Sequence, residues 1–282
     1  MRDILVGTDL SPSSERALGR AIGLAVRFHA RLTVLHVVDD RLPDDIADAL
    51  RLRAEQSVRA QLGADSSAAG LDVGVEIAIG DPFAEILTQA WRRRADLIVM
   101  GMHRKAPIKD LFRGTTVERV LRRGDIPVLV VKGEPSKPYH RVPVAVDLAI
   151  GSRRALEFAL RLVPNGEFHV LHAYEVPFAG FLTDPTTHKQ VATEHAGQLA
   201  KIVDDEVQAF LGQFPELRTR CQLLLQRGEI GEVLAQAVDQ VRPDAVALGT
   251  HGRTGIARAL LGSVAEEMLA NPPCDVLAVK GW

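Results

Sequence analysis

The 282-residue sequence has few cysteines, few aromatic residues and almost no excess charge. Its two cysteines, Cys221 and Cys274, are far apart and lack metal-ligand spacing, which favours buried thiols in a reducing compartment over a disulfide. Aromatic residues make up 5% of the chain, so the core must consist mainly of Val, Leu, Ile and Ala, as in parallel sheets covered by helices. A net charge of −2 argues against nucleic acid as a partner.

Long apolar runs are also missing. No run approaches the ~20 residues that a membrane span needs. The first seven residues are interrupted too soon by polar groups to act as a signal peptide, and they read instead as a first strand. We therefore expect a cytoplasmic protein with no membrane partner. The length predicts about two domains, at roughly 150 residues for each.

An internal repeat divides the chain into two halves. Residues 123–133 resemble residues 271–281, and three pairs of identical residues are separated by 148 positions: Gly101 and Gly249, Gly114 and Gly262, Lys132 and Lys280. Asp9 and Asp147 are separated by 138 positions, so the second copy gains about ten residues in its middle. The repeat predicts a duplicated domain. We assign residues 1–133 to the first domain, 134–140 to a linker rich in proline and polar residues, and 141–282 to the second domain.

Within each half, short apolar runs alternate with amphipathic segments. This order predicts an α/β fold with five parallel strands per half and helices on both faces of the sheet. The second helix, from Pro43 to Leu62, carries Ile46, Leu50 and Val58, which we expect to face the core. In sheets of this kind, ligands bind at the carboxyl ends of the strands, where the strand order reverses.

A glycine-punctuated loop follows the fourth strand of the second half. Residues 244–248 lead into Gly249-Thr250-His251-Gly252, and Gly262-Ser263 then opens a helix. Glycine lets an anion approach the main chain at a helix N-terminus, and a serine hydroxyl there can cap the helix or donate to a phosphate. The alternative is that the glycines only mark a strand-to-helix turn. No P-loop sequence occurs in the chain.

The spacing Gly-x-x-Gly, nine residues, Gly-Ser/Thr on this strand and helix order resembles the universal stress protein family. The resemblance covers nearly the whole chain as two tandem copies. It implies two Rossmann-like, adenine nucleotide α-hydrolase-like sheets and, in ATP-binding members, phosphates held by the glycine loop. The aspartate after strand one and the end of strand two would meet the base and ribose. The resemblance implies a second-half site for ATP, alone or with Mg²⁺, at Asp147, Ala173, Gly249, Gly252, Gly262, Ser263 and Val264.

The first half offers a second site that departs from the family pattern. The matching positions are Asp9, Val37, Gly101, Arg104, Gly114 and Thr115, and Arg104 stands where the second glycine belongs. A side chain in a left-handed conformation costs roughly 1–2 kcal/mol, and bulk over the loop would exclude phosphate. The alternative is that Arg104 itself grips a phosphate. We expect unequal halves, with nucleotide held mainly by the second.

Several side chains near these sites have structural alternatives. Asp9 and Asp147 can serve as caps for the helices that follow them. His36 and His172 lie within apolar strands, so we expect them to be core residues with satisfied hydrogen bonds. No nucleophile–base pair or metal cluster stands at a chemically suggestive spacing, so no catalytic residue and no metal ligand is predicted.

These observations favour an ATP-binding stress-response regulator that acts on an unidentified regulatory protein. The alternatives are a scaffold that binds no nucleotide or another ligand and, third, an adenylyl-transferring or ATP-hydrolysing enzyme. The fifth strands, Val128 to Val131 and Val276 to Val279, would expose unpaired backbone groups. We predict that they pair with each other and join the halves as a pseudo-dimer. Further association into a homodimer stays open.

Overall fold

The computed structural model describes residues 1–102, 114–175, 188–250 and 261–281, with the backbone alone for residues 188–196. The first half contains β1 (Asp3–Thr8), α1 (Pro12–Phe28), β2 (Arg31–Val38), α2 (Asp44–Ala64), β3 (Val73–Ile79), α3 (Pro82–Arg92), β4 (Leu97–Gly101), α4 (Thr116–Arg123) and β5 (Val128–Val131). The second half contains β6 (Arg141–Ala145), α5 (Ile150–Leu162), β7 (Glu167–Tyr174), α6 (His188–Leu211), β8 (Cys221–Arg227), α7 (Ile230–Val241), β9 (Ala245–Gly249), α8 (Ser263–Ala270) and β10 (Asp275–Val279). Strands and helices alternate as the sequence predicts. None of the described helices is long and apolar enough to cross a membrane.

The described strands form one sheet in the order β3-β2-β1-β4-β5-β10-β9-β6-β7-β8. Neighbouring strands within each half are parallel, because every connection between them passes through a helix. In the first half the order reverses between β1 and β4, and in the second half it reverses between β6 and β9. The predicted α/β fold is confirmed, and these two reversals mark the expected ligand positions.

The two halves meet through β5 and β10, which are antiparallel to each other. Leu129 pairs with Leu277 at the centre of this contact, and the two leucines are equivalent positions of the repeat. The same register pairs Val128 with Ala278 and Val130 with Val276. The contact is therefore self-complementary, as in a symmetric dimer. The predicted pseudo-dimer through the fifth strands is confirmed.

Two hydrophobic clusters cover the two faces of the sheet. Side chains of α1 and α5 pack on one face, and side chains of α3, α4, α7 and α8 pack on the other. Ile4 and Val6 face the first cluster while Leu5 faces the second, so β1 is apolar at successive positions. Both clusters contain residues of both halves, which supports the continuous sheet as one packed body.

Helix α2 differs from its prediction in the side that faces the core. Val58 is buried as expected, but Ile46 is 46% exposed and Leu50 is 39% exposed. The buried residues of α2 are Ala47, Ala54 and Val58. The helix is therefore rotated by about one position relative to the predicted apolar stripe, since successive residues are about 100° apart. The predicted burial of Ile46 and Leu50 is wrong.

Candidate functional site

The predicted residues of the second half lie at the carboxyl edge of the sheet, around the reversal between β6 and β9. Ala145 pairs with Leu248, so Gly249 at the end of β9 lies next to the residues that follow β6. The N–H of Val146 donates to the carbonyl of Leu171 at 2.8 Å, which brings the end of β7 to the same edge. Asp147, Gly249 and the β7 residue Ala173 are thus gathered on one edge of three adjacent strands.

Asp147 shapes the turn between β6 and α5. Its Oδ1 accepts the N–H of Ala149 at 3.0 Å, and Leu148 between them has a left-handed φ of 63°. Ser152 braces the same turn, because its Oγ accepts the Asp147 N–H at 3.3 Å and donates to the Ala149 carbonyl at 3.0 Å. The N-cap residue of α5 is Ala149, which has no side-chain cap, so Asp147 shapes the turn before the helix and is not its N-cap.

Gly249 stands where β9 meets the N-terminal turn of α5. A Cβ atom on Gly249 would lie 2.8 Å from the backbone carbon of Gly151 and 2.9 Å from the backbone N of Ser152. A Cβ on Gly281 would likewise meet the backbone of Gly151 at 2.8 Å. Glycine at position 249 is thus required by close backbone packing, whether or not a ligand approaches.

The start of α8 carries the remaining predicted residues of the second half. Gly262 is the N-cap residue with a φ of −67° and provides no side-chain cap, and Ser263 and Val264 form the first turn. The Gly262 N–H donates to the Thr250 carbonyl at 2.8 Å, and the Thr250 N–H donates to the Val279 carbonyl at 2.9 Å. These bonds hold the start of α8 against the ends of β9 and β10. Gly252 lies outside the described residues.

The first half repeats the geometry of the edge. Asp9 Oδ1 accepts the N–H of Ser11 at 3.0 Å, and Leu10 has a left-handed φ of 61°. A Cβ on Gly101 would lie 2.5 Å from the Ser13 carbonyl oxygen, which is the counterpart of the Gly249 contact. Thr8 pairs with the residue before Val37, so Val37 also lies at this edge. Arg104 lies outside the described residues.

The start of α4, in contrast, already holds a carboxylate. Thr115 is the N-cap residue, and its hydroxyl accepts the N–H of Glu118 at 3.2 Å. The Glu118 carboxylate turns back and accepts the N–H of Gly114, which has a φ of 83°. Glu118 is buried and pairs with Arg122 at 2.8 Å. The pair of bonds resembles a capping box, except that Glu118 reaches the residue before the N-cap. It places a negative group at the helix start where the family resemblance implies a phosphate.

Arg122 also connects the last helices of the two halves. Its guanidinium lies 3.2 Å from Oε1 of Glu266, the repeat equivalent of Glu118. The position equivalent to Arg122 in the second half is Ala270. One arginine therefore serves two glutamates, and Glu266 contacts the opposite half while Glu118 caps its own helix.

The two predicted core histidines occupy matching positions and make matching bonds. His36 Nδ1 lies 2.9 Å from the Thr8 carbonyl, and His172 Nδ1 lies 2.7 Å from the Val146 carbonyl. Each bond fixes the last carbonyl before a site aspartate. The predicted core position is confirmed for His172, which is buried, whereas His36 is only partly buried. In the described part of the chain, no group of three or more His, Cys, Asp or Glu side chains is arranged to hold a metal ion.

A buried charged cluster at the junction of the halves was missed by the sequence reasoning. Asp275 is fully buried, lies 3.3 Å from Arg20 Nε, and accepts the N–H of Lys132 at 2.8 Å and of Gly133 at 2.6 Å. The Tyr139 hydroxyl donates to the same carboxylate at 2.5 Å. Burial, reinforced by this carboxylate, raises the pKa of Tyr139 well above its usual value.

The same cluster holds the linker, residues 134–140, in place. Arg20 donates to the carbonyls of Glu134 at 2.7 Å and Lys137 at 2.5 Å, and it stacks on the Tyr139 ring at 4.2 Å. The linker is therefore anchored to α1 through Arg20 and to β10 through Asp275. A usable sequence signal was the lone acidic residue at the start of the apolar run 274–279, where the repeat has Pro127.

Comparisons with known proteins give consistent results over both halves. The model of the Universal stress protein family matches residues 1–132 and 138–280. Universal stress protein E of Photorhabdus laumondii is 24% identical over 304 residues, covering 99% of this chain and 95% of that protein. A universal stress protein of Methanocaldococcus jannaschii is 31% identical over 145 residues, covering 48% of this chain and 84% of that protein.

The fold has a close counterpart among solved structures. The crystal structure of a universal stress protein from Archaeoglobus fulgidus superposes with a TM-score of 0.69 at 22% identity, covering 99% of this chain and 98% of that chain. A functionally unknown protein from Pseudomonas aeruginosa superposes with a TM-score of 0.70 at 20% identity, covering 100% of this chain and 93% of that chain. These similarities extend over the full tandem arrangement.

Proposed function

The chain belongs to the universal stress protein family, and on that premise we propose that it is a cytoplasmic stress-response regulator whose second half binds one molecule of ATP. The observation that carries this proposal is the difference between the starts of α4 and α8. Glu118 occupies the first, whereas Gly262 leaves the second without a side-chain cap. We also propose residues 1–133 and 141–282 as the two domains, joined by residues 134–140.

Electrostatics at the helix starts favours the second half as the nucleotide site. The N–H groups of a first helical turn carry partial positive charge and attract phosphate. At α4, a phosphate would have to displace or lie beside the Glu118 carboxylate. Arg122 lies 2.8 Å from Glu118 and 3.2 Å from Glu266, so this arginine does not distinguish the two helix starts. The difference is that the Glu118 carboxylate accepts the N–H of Gly114, so ATP would meet this carboxylate directly at the start of α4.

The edge residues of the second half support the placement of the base and ribose. Asp147 and Ala173 lie beside Gly249 at the ends of adjacent strands, where ligands bind in sheets with this reversal. Asp147 is held in a braced turn, so its carboxylate is oriented before a ligand arrives. A preorganised group of this kind loses little entropy on binding.

The proposed site suits a regulator more than an enzyme. Its described polar side chains are Asp147 and Ser263, and Asp147 already braces a turn. The sequence places no nucleophile–base pair at a chemically suggestive spacing, and group transfer to an acceptor would need such a pair. We therefore propose that bound ATP acts as a signal to a protein partner, with Mg²⁺ accompanying the phosphates.

One pair of variants at Gly262 tests this assignment. The φ of −67° suits an ordinary residue, and an added Cβ would lie 3.4 Å from the Thr250 carbonyl oxygen, an ordinary contact. Gly262→Asp would add a carboxylate at the N-cap and imitate the first half, while Gly262→Ala would add the Cβ alone. Aspartate at an N-cap stabilises a helix by about 1 kcal/mol relative to alanine, so loss of binding would not arise from unfolding.

Calorimetric titration with ATP and Mg²⁺ provides the measurement. We expect Gly262→Asp to weaken binding roughly ten- to hundredfold, since each lost charge-assisted bond contributes about 1.5–3 kcal/mol. Gly262→Ala should bind within a few-fold of the native chain. Equal affinity of the aspartate and alanine variants would contradict a phosphate at the start of α8. No ATP binding by the native chain would leave a nucleotide-free scaffold as the better function.

A further inference from the structure

A cleft of 320 Å³ opens in the first half between the end of β2, the turn after β1, and α2. Its apolar walls are formed by Leu10, Val37, Val38, Leu42, Leu50 and Ala54. The volume lies at the lower end of the range for small-molecule sites, roughly 300–1,000 Å³. We propose that this cleft binds an uncharged, predominantly apolar small molecule, a ligand distinct from the nucleotide of the second half.

The first support comes from the position of Leu50. The apolar periodicity of α2 predicts this residue as a core position, yet it is 39% exposed and lines the cleft. Ile46, one turn earlier, is also exposed. Of these two exposed side chains, Leu50 lines the cleft, where its apolar surface is open to solvent. A ligand that removes apolar surface from water would gain about 25 cal/mol for each Å² buried.

The second support is that two polar residues of the lining, His36 and Asp39, already have partners. His36 Nδ1 is bonded to the Thr8 carbonyl at 2.9 Å. Asp39 Oδ1 accepts from Arg41 Nε at 2.8 Å, and this bond lowers the pKa of Asp39 to about 2, so the pair stays ionised and mutually neutralised. A charged group entering between the apolar walls would lose hydration there, because the cationic lining side chain, Arg53, lies at the solvent-exposed rim.

Two further polar side chains stand at the rim of the cleft. Arg53 and Ser57 line the cleft and are exposed to solvent. Their polar ends can stay hydrated while the alkyl part of Arg53 covers apolar surface. The rim therefore permits the uncharged interior that the proposed ligand requires.

The third support is the carboxylate at the start of α4. A nucleotide with its base near Val37 would direct its phosphates toward the family's phosphate position, where Glu118 accepts the N–H of Gly114. The repulsion disfavours a triphosphate without affecting an uncharged ligand. This inference concerns the first half alone, so it stands or falls independently of ATP binding in the second.

Fluorescence titration with 1-aminoanthracene, an uncharged aromatic probe, tests the proposal on the full chain. We expect saturable binding of one probe per chain, displaced by decanol but not by ATP or adenosine. Displacement by ATP or adenosine would overturn the ligand class in favour of a nucleotide or nucleoside. Absence of saturable binding would overturn the site itself.

Two matched variants on α2 locate the probe. Leu50→Glu places a charge in the cleft wall, and Leu52→Glu makes the same change two residues away, at a 55% exposed position outside the lining. Both original side chains are exposed, so both variants should fold, which circular dichroism would check. We expect at least tenfold weaker binding in Leu50→Glu and no change in Leu52→Glu. Equal affinities in the two variants would contradict the cleft as the binding site.

Discussion

The two halves share the backbone of their carboxyl edges but differ at the start of their last helices. Leu10 and Leu148 have nearly the same left-handed φ, at 61° and 63°, each directly after a site aspartate. At the helix starts, Gly114 donates to the Glu118 carboxylate, whereas Gly262 donates to a backbone carbonyl. The turns after the first strand are therefore alike in the two halves, whereas the starts of α4 and α8, where a phosphate would bind, differ.

This comparison separates residues required by packing from residues available to a ligand. Gly101 and Gly249 each lie against the backbone of the helix that follows the first strand of their half, so their identity in both halves follows from packing. Among the described residues, nothing in the packing requires a glycine at position 262, where an added Cβ would lie 3.4 Å from the Thr250 carbonyl oxygen, an ordinary contact. Gly262 is therefore the better marker of a ligand role than Gly249.

The largest expected effect concerns the junction, where the halves are not equivalent. Asp275 and Arg20 form a buried pair, and their repeat equivalents are Pro127 and Phe158. Removing one member of a buried pair costs about 3–5 kcal/mol, so Asp275→Ala should lower the free energy of unfolding by about that amount. Urea denaturation measures the loss.

An exposed ion pair supplies the control for this change. Asp72 pairs with Arg31 at 3.0 Å on the surface, and Asp72→Ala should change stability by less than about 1 kcal/mol. A similarly small loss for Asp275→Ala would contradict the view that the junction depends on this buried carboxylate.

The next effect tests the packing that the halves have in common. Gly101→Ala and Gly249→Ala would each force a Cβ to within 2.8 Å of helix backbone. Overpacking of this kind costs about 1–3 kcal/mol, and we expect similar losses of unfolding free energy in both halves. Gly74→Ala is the control, because nothing lies within 4 Å of its added Cβ. If only one of the two variants lost stability, the glycine packing would not be equivalent in the two halves.

A third change should make the first half more like the second. Glu118→Gln removes the carboxylate at the start of α4, and Arg104→Gly restores the family glycine. Made together in a Gly262→Asp background, which silences the proposed second-half site, they should raise ATP affinity at least tenfold, equivalent to about 1.4 kcal/mol. Calorimetry reads the change, with Glu266→Gln as the matched control. Unchanged affinity would mean that these two residues are not what distinguishes the halves.

The smallest effect tests a reciprocal contact across the junction. Lys132 Nζ donates to the Pro272 carbonyl after α8, and Lys280 Nζ donates to the Arg122 carbonyl near the end of α4 at 3.2 Å. Positive charge at a helix C-terminus stabilises by about 0.3–1 kcal/mol. Lys132→Ala and Lys280→Ala should each lower the thermal midpoint slightly and by similar amounts. If the thermal midpoint fell strongly in only one of the two variants, the two lysine contacts would not contribute equally to stability.

The sequence was sufficient for the fold because its strongest signals are local and repeated. Apolar runs with intervening helices indicate parallel strands, and the repeat equates Leu129 with Leu277 at the junction. Exposed edges at both fifth strands then favour their pairing. Helix α2 was less predictable, since it is rich in charged residues and two neighbouring stripes were compatible with its pattern. Tertiary packing selected the stripe with Ala47 and Ala54, leaving Leu50 at the cleft.

The site was predictable only in part, because the same local pattern has two outcomes. Thr115 and Glu118 have the spacing of a capping box, and so do Ser263 and Glu266. Glu118 caps its own helix, while Glu266 lies beside Arg122 of the other half. That difference depends on a contact between residues 144 positions apart. Short-range spacing carries no information about such a contact.

The number of ATP molecules bound per chain tests the inequality of the halves most directly. The measurement combines quantification of nucleotide released from denatured protein with calorimetric stoichiometry on the native, nucleotide-free chain. We predict one ATP per chain, because Glu118 disfavours phosphate at the start of α4 and Gly262 provides no side-chain cap at the start of α8. Two ATP molecules bound per chain with similar affinity would contradict the inequality, and none would contradict the nucleotide-binding function.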